Sequence, residues 1–247
     1  MSLDPAADVA LDRVAPTRRP AGRAAGTQRW RELLFVHWSF DAADVRALVP
    51  ASLELDLRDG RAWVGLVPFR MEATRSWWMP RWAGLEFLET NLRTYVHRDG
   101  VPGIYFFSLE ASSALAVRAA RLLWGLPYFR AQMTAVRDGG RVTYRSARRG
   151  AGGAADLDVA YDVGADLGPS AVGTLEHFLL ERYVLFVEHR GRLRRGHVHH
   201  PPYPARRATI HALEQSLLTA AGLPASGRLE TVHYSDGVEV EVFGPLA

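Results

Sequence analysis

The sequence predicts a β-rich protein of the α+β class, in which an antiparallel sheet closes into a barrel or cone that carries a few short helices. Short runs of alternating apolar and polar residues recur along the chain, as expected for strands with one buried face. Several of these runs meet at Asp-Gly or Gly-Gly steps, which are typical of hairpin turns. Helical spacing is confined to a few short stretches, which favours an antiparallel sheet over alternating β-α units.

The chain is long enough to bury a core of its own. Of its 247 residues, 48% are hydrophobic and 23% are charged, a balance typical of folded globular proteins. Residues 1–28 mix Ala, Pro, Gly and Arg without periodicity, and we expect them to form a disordered tail. Residues 29–247 are predicted to form a single domain.

The first elements are predicted as a strand, a short helix and a hairpin. The strand spans residues 33–40, and Asp41 caps a helix over residues 42–49 that Pro50 ends. Alternation over residues 52–58 predicts a second strand, which Asp59-Gly60 turns into a third over residues 61–71.

The next loop, residues 74–84, contains three tryptophans at positions 77, 78 and 82. We favour a flap that covers one end of the core. The alternative is an aromatic wall over a ligand cavity.

The central stretch, residues 87–128, is the most informative. Its first strand places Glu89, Asn91, Arg93 and Tyr95 on one face and apolar or hydroxyl side chains on the other. A turn at Asp99-Gly100 leads to a second strand over residues 104–110, so the two form a hairpin. A helix over residues 112–124 follows, closed by a glycine and a nearby proline.

The remaining elements continue the meander. Residues 129–137 and 141–148 are predicted to form a hairpin, and residues 157–163 another strand. Thr174 caps a helical segment that leads into strands over residues 183–189 and 193–199. A helix over residues 213–221 and a hairpin through Asp236-Gly237 complete the chain.

Composition excludes several functions. The chain contains no cysteine, which rules out disulfides and thiolate chemistry, and no lysine, so all 30 basic residues are arginine. A net charge of +3 is small and spread along the chain, so nucleic acid is not an expected partner. No window is apolar enough for a membrane helix and no secretion signal is visible, so we expect a cytoplasmic protein.

Four histidines, His189, His197, His199 and His200, lie close together in the sequence. His197 and His199 share a strand face, which is a legitimate spacing for two metal ligands, but a third ligand must be assumed. A polar strand end before Pro201-Pro202 is the favoured interpretation. We expect no metal and no cofactor, and no motif indicates a nucleotide or a serine nucleophile.

Several segments together resemble the DUF2071, or YqjF-like, family over roughly residues 29–245. The resemblance is carried by residues 30–38, Leu48-Val49-Pro50, Asp59-Gly60 with Ala62-Trp63-Val64, residues 89–96, residues 102–109, Gly125-Leu126-Pro127-Tyr128 and His200-Pro201-Pro202. The family looks like a branch of the acetoacetate decarboxylase-like superfamily. That resemblance implies a cone-shaped barrel around an apolar cavity.

The resemblance also implies where a site would lie. In acetoacetate decarboxylases a Gly-Phe-Pro run precedes a lysine that forms a Schiff base with the keto acid. Here that position holds Tyr128, and no other lysine exists to form an imine, which leaves only an N-terminal amine on the predicted tail. The superfamily's site glutamate matches Glu89.

From these residues we predict Glu89 and Tyr128 as acid-base groups and Arg93 as the group that binds a carboxylate. Asn91, Tyr95 and Glu110 are predicted as further binding residues. The alternative is that Glu89 and Arg93 form a structural ion pair inside the barrel.

Two functions remain open at this point. The first is binding of a small oxo or carboxylate compound, with acid-base catalysis but without Schiff-base decarboxylation. The second is a non-catalytic binding or sensing module. The sequence leaves homo-oligomer formation open, through an edge strand or the tryptophan loop.

Overall fold

A computed structural model of the chain describes residues 11–150, 152–189 and 191–246. Twelve strands and four short helices are present in this part of the chain. The strands are β1 (Gly26–Phe40), β2 (Glu54–Leu55), β3 (Ala62–Ser76), β4 (Leu85–Arg98), β5 (Val101–Ala111), β6 (Tyr128–Asp138), β7 (Arg141–Arg148), β8 (Ala155–Gly168), β9 (Val184–His189), β10 (Arg192–His199), β11 (Ala205–Gln215) and β12 (Arg228–Leu246). The helices are α1 (Ala42–Arg46), α2 (Ala114–Trp124), α3 (Leu175–Leu180) and α4 (Leu217–Ala220).

All twelve strands belong to one sheet that closes on itself. In the order β12, β1, β3, β4, β5, β9 and β10, each strand pairs with the next, and β10 pairs back with β12. This ring is what the prediction of a barrel or cone requires. A second path, through β6, β7, β8 and β11, also joins β5 to β12.

The sheet forks at β5 because two strands share one of its edges. The first half of β5 pairs with β9 at Ile104 and Tyr105, and its second half pairs with β6 from Leu109 to Ala111. Both of these pairings are parallel, whereas the prediction was an antiparallel sheet throughout. The reason for the β5–β6 case is that α2 lies between the two strands and carries the chain back across the sheet.

The strands shared by both paths are buried on both faces, so they separate two apolar cores. Leu33 and Phe35 of β1 belong to the core inside the seven-strand ring. Leu34 and Val36 belong to the core beneath β7 and β8. Alternation along an extended strand therefore sends neighbouring side chains into different cores.

The predicted central hairpin and the helix after it are confirmed. β4 and β5 pair from Glu89 to Arg98, and α2 follows directly. The Ser113 side chain accepts a hydrogen bond from the Ala116 backbone N–H at the start of α2. Gly125 ends the helix in the left-handed region at φ +71°.

Two predictions near the C-terminus are wrong. Residues 205–215 form β11, so the predicted helix over residues 213–221 is reduced to α4. Asp236-Gly237 does not turn the chain but lies within the continuous strand β12. Gly237 is needed there because a Cβ atom on it would lie 2.0 Å from the Trp30 carbonyl oxygen of β1.

The described part of the predicted tail, residues 11–28, contacts the rest of the protein. β1 already begins at Gly26, and the Ala25 N–H donates to the Val242 carbonyl at 2.7 Å. The Arg13 side chain pairs with Asp56, and Arg19 pairs with Glu241. The prediction of a disordered tail is therefore wrong for these residues, while residues 1–10 lie outside the described part.

Each of the four described helices is too short, or too polar, to pass through a lipid bilayer.

Candidate functional site

The seven-strand ring encloses a cavity of about 480 Å³. Cavities of this size are typical of small-molecule sites. Most of its wall is apolar and aromatic, and the ring strands and α2 contribute to it. Representative wall residues are Leu33, Phe35, Phe69, Met71, Phe106 and Leu109.

Strand β4 supplies a polar line along this apolar wall. Glu89, Asn91 and Arg93 all line the cavity, and each is nearly inaccessible to solvent. Leu88, just before Glu89, and Leu92, between Asn91 and Arg93, face the core beneath β7 and β8. The predicted segregation of the β4 side chains into two faces is therefore confirmed.

The Glu89 carboxyl group is held by a phenol from a neighbouring strand. The Tyr128 hydroxyl donates a hydrogen bond to Glu89 Oε2 at 2.8 Å. Gly125 ends α2 and the Leu109 N–H donates to the Pro127 carbonyl, so Tyr128 enters β6 opposite Leu109. No described residue donates a hydrogen bond to Oε1, which leaves that oxygen available to a ligand.

Burial changes the protonation of this pair. Removal from water raises the pKa of Glu89 to about 8, and the negative charge of Glu110 acts in the same direction, while the bond from Tyr128 opposes the shift. Burial also raises the pKa of Tyr128 well above its ordinary value. At neutral pH the site therefore presents a neutral carboxylic acid beside a neutral phenol.

Arg93 is a buried cation without a carboxylate partner in the described part of the chain. Its Nη2 donates to the Leu179 carbonyl at 3.3 Å, and its guanidinium lies 5.8 Å from the centre of the Phe35 ring. Its Nε has no hydrogen-bond partner. No Arg93 nitrogen lies within 4 Å of a Glu89 carboxyl oxygen, so the two residues do not form the structural ion pair that was the alternative.

Asn91 lies between these two groups on β4. Its Oδ1 is buried without a hydrogen-bond partner in the described structure. An unpaired buried acceptor is costly unless something else satisfies it. Asn91 is therefore placed to accept a hydrogen bond from a ligand.

Tyr95 lies at the floor beyond Arg93 rather than in the cavity wall. Its hydroxyl donates to the Leu179 carbonyl at 2.8 Å and is 2.8 Å from His37 Nε2. Because that hydroxyl proton goes to Leu179, His37 Nε2 carries the proton of the second bond. Tyr95 closes the floor and positions the end of α3, which differs from the predicted role in binding.

Glu110 lies on the opposite face of β5 from the cavity. Leu109 faces the cavity, so Glu110 points into the second core, where Arg148 Nη1 donates to it at 3.0 Å. Ser108 donates to its other oxygen at 3.3 Å. The predicted contact between Glu110 and a ligand is wrong, because one step along a strand reverses the face.

The cavity opens between α2 and the strand ends near the tryptophan loop. Ala119 and Leu123 of α2 line the cavity and are also exposed to solvent. The three loop tryptophans are not part of the wall. Trp77, Trp78 and Trp82 are 51%, 68% and 87% exposed, so the interpretation as an aromatic wall is wrong. The loop borders the mouth through Ser76 and Met79, and its role as a flap stays a prediction.

The cavity residues that sequence reasoning missed include Trp30, Arg182, Tyr183 and Tyr203, from distant parts of the chain. Alternation between Leu33 and Phe35 on β1 could have indicated which face of this strand, the strand that carries Trp30, meets the cavity. Arg182 and Tyr203 lie outside the strands, and no local pattern marks them. Arg182 donates to Asp56 at 2.7 Å, so its charge is neutralised by a carboxylate.

The four neighbouring histidines do not converge. His197 Nε2 is 2.8 Å from the Pro16 carbonyl, and the His200 ring stacks on Tyr183 with 4.4 Å between ring centres. Burial lowers the pKa of His200 to about 4, so this ring is neutral. Within residues 11–150, 152–189 and 191–246, no group of three His, Asp or Glu side chains is arranged to hold a metal ion.

Solved structures with a similar fold are enzymes of the acetoacetate decarboxylase type and their relatives. Acetoacetate decarboxylase from Legionella pneumophila superposes with a TM-score of 0.62 and 13% identity, over 93% of this chain and 92% of that one. The enduracididine biosynthesis enzyme MppR was solved in complex with the condensation product of pyruvate and imidazole 4-carboxaldehyde. It superposes with a TM-score of 0.62 and 13% identity, over 90% of this chain and 89% of that one. An acetoacetate decarboxylase-like enzyme from Sphingomonas wittichii superposes with a TM-score of 0.60 and 17% identity, over 90% of this chain and 93% of that one. At these identities the similarity establishes the fold alone.

Sequence similarity is much closer to one group of proteins. Uncharacterized protein YqjF from Bacillus subtilis is 37% identical over 220 residues, which cover 89% of this chain and 90% of YqjF. The model of the DUF2071 family, described as an uncharacterized conserved protein, matches residues 27–239. The chain therefore belongs to the DUF2071 family and has an acetoacetate decarboxylase-like fold.

Proposed function

We propose that the cavity binds a small organic molecule that carries a carboxylate and an oxo group, and that Glu89 acts on it as an acid-base group. One observation carries the proposal: a buried guanidinium without a carboxylate partner in the described structure faces the same cavity as a neutral carboxylic acid. A buried cation is expensive to maintain without a counter-ion. A ligand carboxylate would supply that counter-ion.

The binding step follows from the donors of Arg93. A guanidinium has five N–H donors in a planar fork; Nη2 of Arg93 donates to the Leu179 carbonyl, and Nε has no partner. The free donors suit a carboxylate, which accepts two parallel hydrogen bonds from such a fork. Arg93 would therefore hold the acid end of the ligand.

The chemical step follows from the protonation of Glu89. With a pKa of about 8, Glu89 is largely protonated at neutral pH and can donate to a carbonyl oxygen through the oxygen that Tyr128 does not bind. The carboxylate formed in this way could take a proton from carbon next to the carbonyl. Tyr128 orients the acid throughout, and the chain has no lysine that could form an imine with the ligand.

A second function, binding without turnover, is favoured by one observation. The Tyr128 hydroxyl is already bonded to Glu89, and the family resemblance matches Tyr128 to the position of the decarboxylase lysine. A protein that has lost the nucleophile and retains the cavity would serve as a sensor or carrier.

A binding experiment with matched arginine variants tests the proposal. Aliphatic and aromatic oxo acids are titrated into the wild type, Arg93→Met and Arg145→Met, with heat measured by calorimetry. Arg145 pairs with Asp158 on the surface and serves as the control. We expect wild type and Arg145→Met to bind alike and Arg93→Met to bind at least about 50-fold more weakly.

Turnover is measured with Glu89→Gln, which keeps the size of the side chain and the bond from Tyr128. An enzyme should lose activity in this variant and retain binding, whereas a sensor should show no turnover in either protein. Equal binding of oxo acids by wild type and Arg93→Met, or no binding at all, would contradict the proposal.

A further inference from the structure

The distance between the two polar ends of the cavity constrains the ligand. Along β4 the cavity-facing residues follow one another from the mouth inward as Leu85, Phe87, Glu89, Asn91 and Arg93. Every second residue of a strand advances about 6.6 Å, so Glu89 and Arg93 are separated by about 13 Å along the strand. The acid and the cation therefore lie at different depths.

The partners of the two side chains agree with this separation. Arg93 extends toward the Leu179 carbonyl, which also accepts the bond from Tyr95, the next inward residue of β4 beyond Arg93. Glu89 is fixed by Tyr128 from the β6 side. No described carboxylate lies within 4 Å of the Arg93 nitrogens, which agrees with a wide separation from Glu89.

Apart from the amide of Asn91, which lies between the two ends on β4, the wall there and from Glu89 to the mouth is mainly apolar. Leu109 and Ile104 line the deeper part, and Phe69, Met71 and Leu123 line the outer part. A short oxo acid would fill a small fraction of a cavity of about 480 Å³ and leave this apolar surface uncovered. An apolar chain would cover it and gain about 0.8 kcal/mol for each buried methylene.

We infer that the ligand is an elongated, largely apolar carboxylate whose oxo group lies far from the acid, and not a short 2-oxo or 3-oxo acid. The carboxylate binds Arg93 at the floor, the oxo oxygen accepts a hydrogen bond from Glu89, and the rest of the chain points to the mouth. Given about 1.2 Å of reach for each bond of an extended chain, the two groups are roughly six to ten bonds apart. This inference rests on the proposed function and names the class of ligand.

The binding affinities of four acids distinguish a site for an elongated ligand from a site for a short oxo acid. The acids are pyruvate, decanoate, decanoate with an oxo group next to the carboxylate, and decanoate with an oxo group on the penultimate carbon. Each is titrated calorimetrically into wild-type protein near pH 7, where Glu89 is protonated. We expect the penultimate isomer to bind roughly tenfold more tightly than the adjacent isomer, and pyruvate to bind more weakly than decanoate by about 100-fold.

Two variants and one neutral probe assign these differences to residues. In Glu89→Leu the advantage of the penultimate isomer should disappear, while decanoate binds within about threefold of wild type. In Arg93→Met all the acids should weaken, whereas the methyl ester of decanoate should bind both proteins alike. The comparison among acids needs only the wild type, so it stands even where a variant fails to fold.

The outcomes distinguish this inference from the proposed function. Tighter binding of the adjacent isomer, or of pyruvate over decanoate, with dependence on Arg93, would overturn the elongated ligand and leave a short oxo acid site. Absence of binding by every acid would overturn both.

Discussion

Two buried arginines beside the end of α3 differ in their counter-ions. Arg182 donates from Nε to the Phe178 carbonyl and forms an ion pair with Asp56. Arg93 donates to the Leu179 carbonyl and has no carboxylate in the described part of the structure. Both satisfy backbone oxygens that the last turn of a helix leaves free. Both arginines line the cavity and each keeps an unpaired nitrogen, Nε of Arg93 and Nη2 of Arg182. Arg93 is the candidate for ligand binding because no carboxylate in the described structure neutralises its charge, whereas Asp56 neutralises that of Arg182.

Replacing each arginine with methionine should therefore have different effects on stability. Arg93→Met removes a buried charge and should leave the free energy of unfolding unchanged or raise it by about 1 kcal/mol. Arg182→Met leaves Asp56 buried with less compensation and should lower that free energy by roughly 3 kcal/mol. Urea denaturation of the two variants and the wild type measures both effects. A large loss in Arg93→Met would indicate that Arg93 is a structural residue.

Glu89 makes the stability depend on pH. Its pKa is about 8 in the folded protein and about 4.3 in an unfolded chain. The unfolded chain ionises first as the pH rises, so the contribution of Glu89 to stability is complete below about pH 4 and is lost through pH 8. Glu89→Gln has no such loss. Relative to wild type, the variant should gain up to about 4 kcal/mol in the free energy of unfolding between pH 5 and pH 9.

Urea denaturation of both proteins at several pH values tests this expectation. A difference in stability that stays constant across the range would show that Glu89 is ionised in the folded protein, and acid catalysis at neutral pH would then be excluded.

At the scale of residues, alternation on one strand was enough to bring Glu89, Asn91 and Arg93 together. The same reasoning failed for Glu110, because the sequence does not indicate which face of β5 meets the cavity. Leu109 and Glu110 are both buried because each face of β5 meets a core, so the usual division into a buried and a solvated face does not apply. Arg182 and Tyr203 reach the cavity from segments far along the chain, and only the folded topology brings them there.

At the scale of elements, β12 shows how a turn signal can mislead. Asp-Gly favours a hairpin turn, yet Gly237 lies within a long strand at φ +131° and allows the close approach of β1. Pro201, Pro202 and Pro204 are typical of a loop, and the strand β11 that follows them was not predicted. The β4–β5 hairpin and α2 were predicted because their turn, cap and stop signals agree with one another.

Gly237→Ala should therefore be strongly destabilising. The new methyl group would collide with the Trp30 carbonyl, and the backbone conformation is one that alanine avoids, so we expect a loss of at least about 2 kcal/mol. Gly140→Ala is the control, because Gly140 lies in a hairpin turn with open space around it and should change stability by less than about 0.5 kcal/mol. Thermal denaturation of both variants compares them. Equal stability of the two would contradict the close contact between β1 and β12.

At the scale of the whole molecule, the site exists because the sheet closes. Pairing of β10 with β12 and of β5 with both β4 and β9 encloses the space that Glu89, Tyr128 and Arg93 face. The β10–β12 and β5–β9 pairings join residues more than forty positions apart in the chain, such as His197 with Phe243 and Ile104 with Leu185. Local patterns could predict the strands and the class of fold, and the family resemblance supplied the closed cone. Neither could give the depth at which each polar group lies.

The most direct test of the proposed site is a crystal structure of the wild-type protein grown with decanoate. We predict that the carboxylate binds the Arg93 guanidinium and that the chain passes Glu89 toward Leu123 at the mouth. Decanoate bound with its carboxylate at the mouth, or only on the outer surface, would contradict the assignment of Arg93 as the group that binds the ligand.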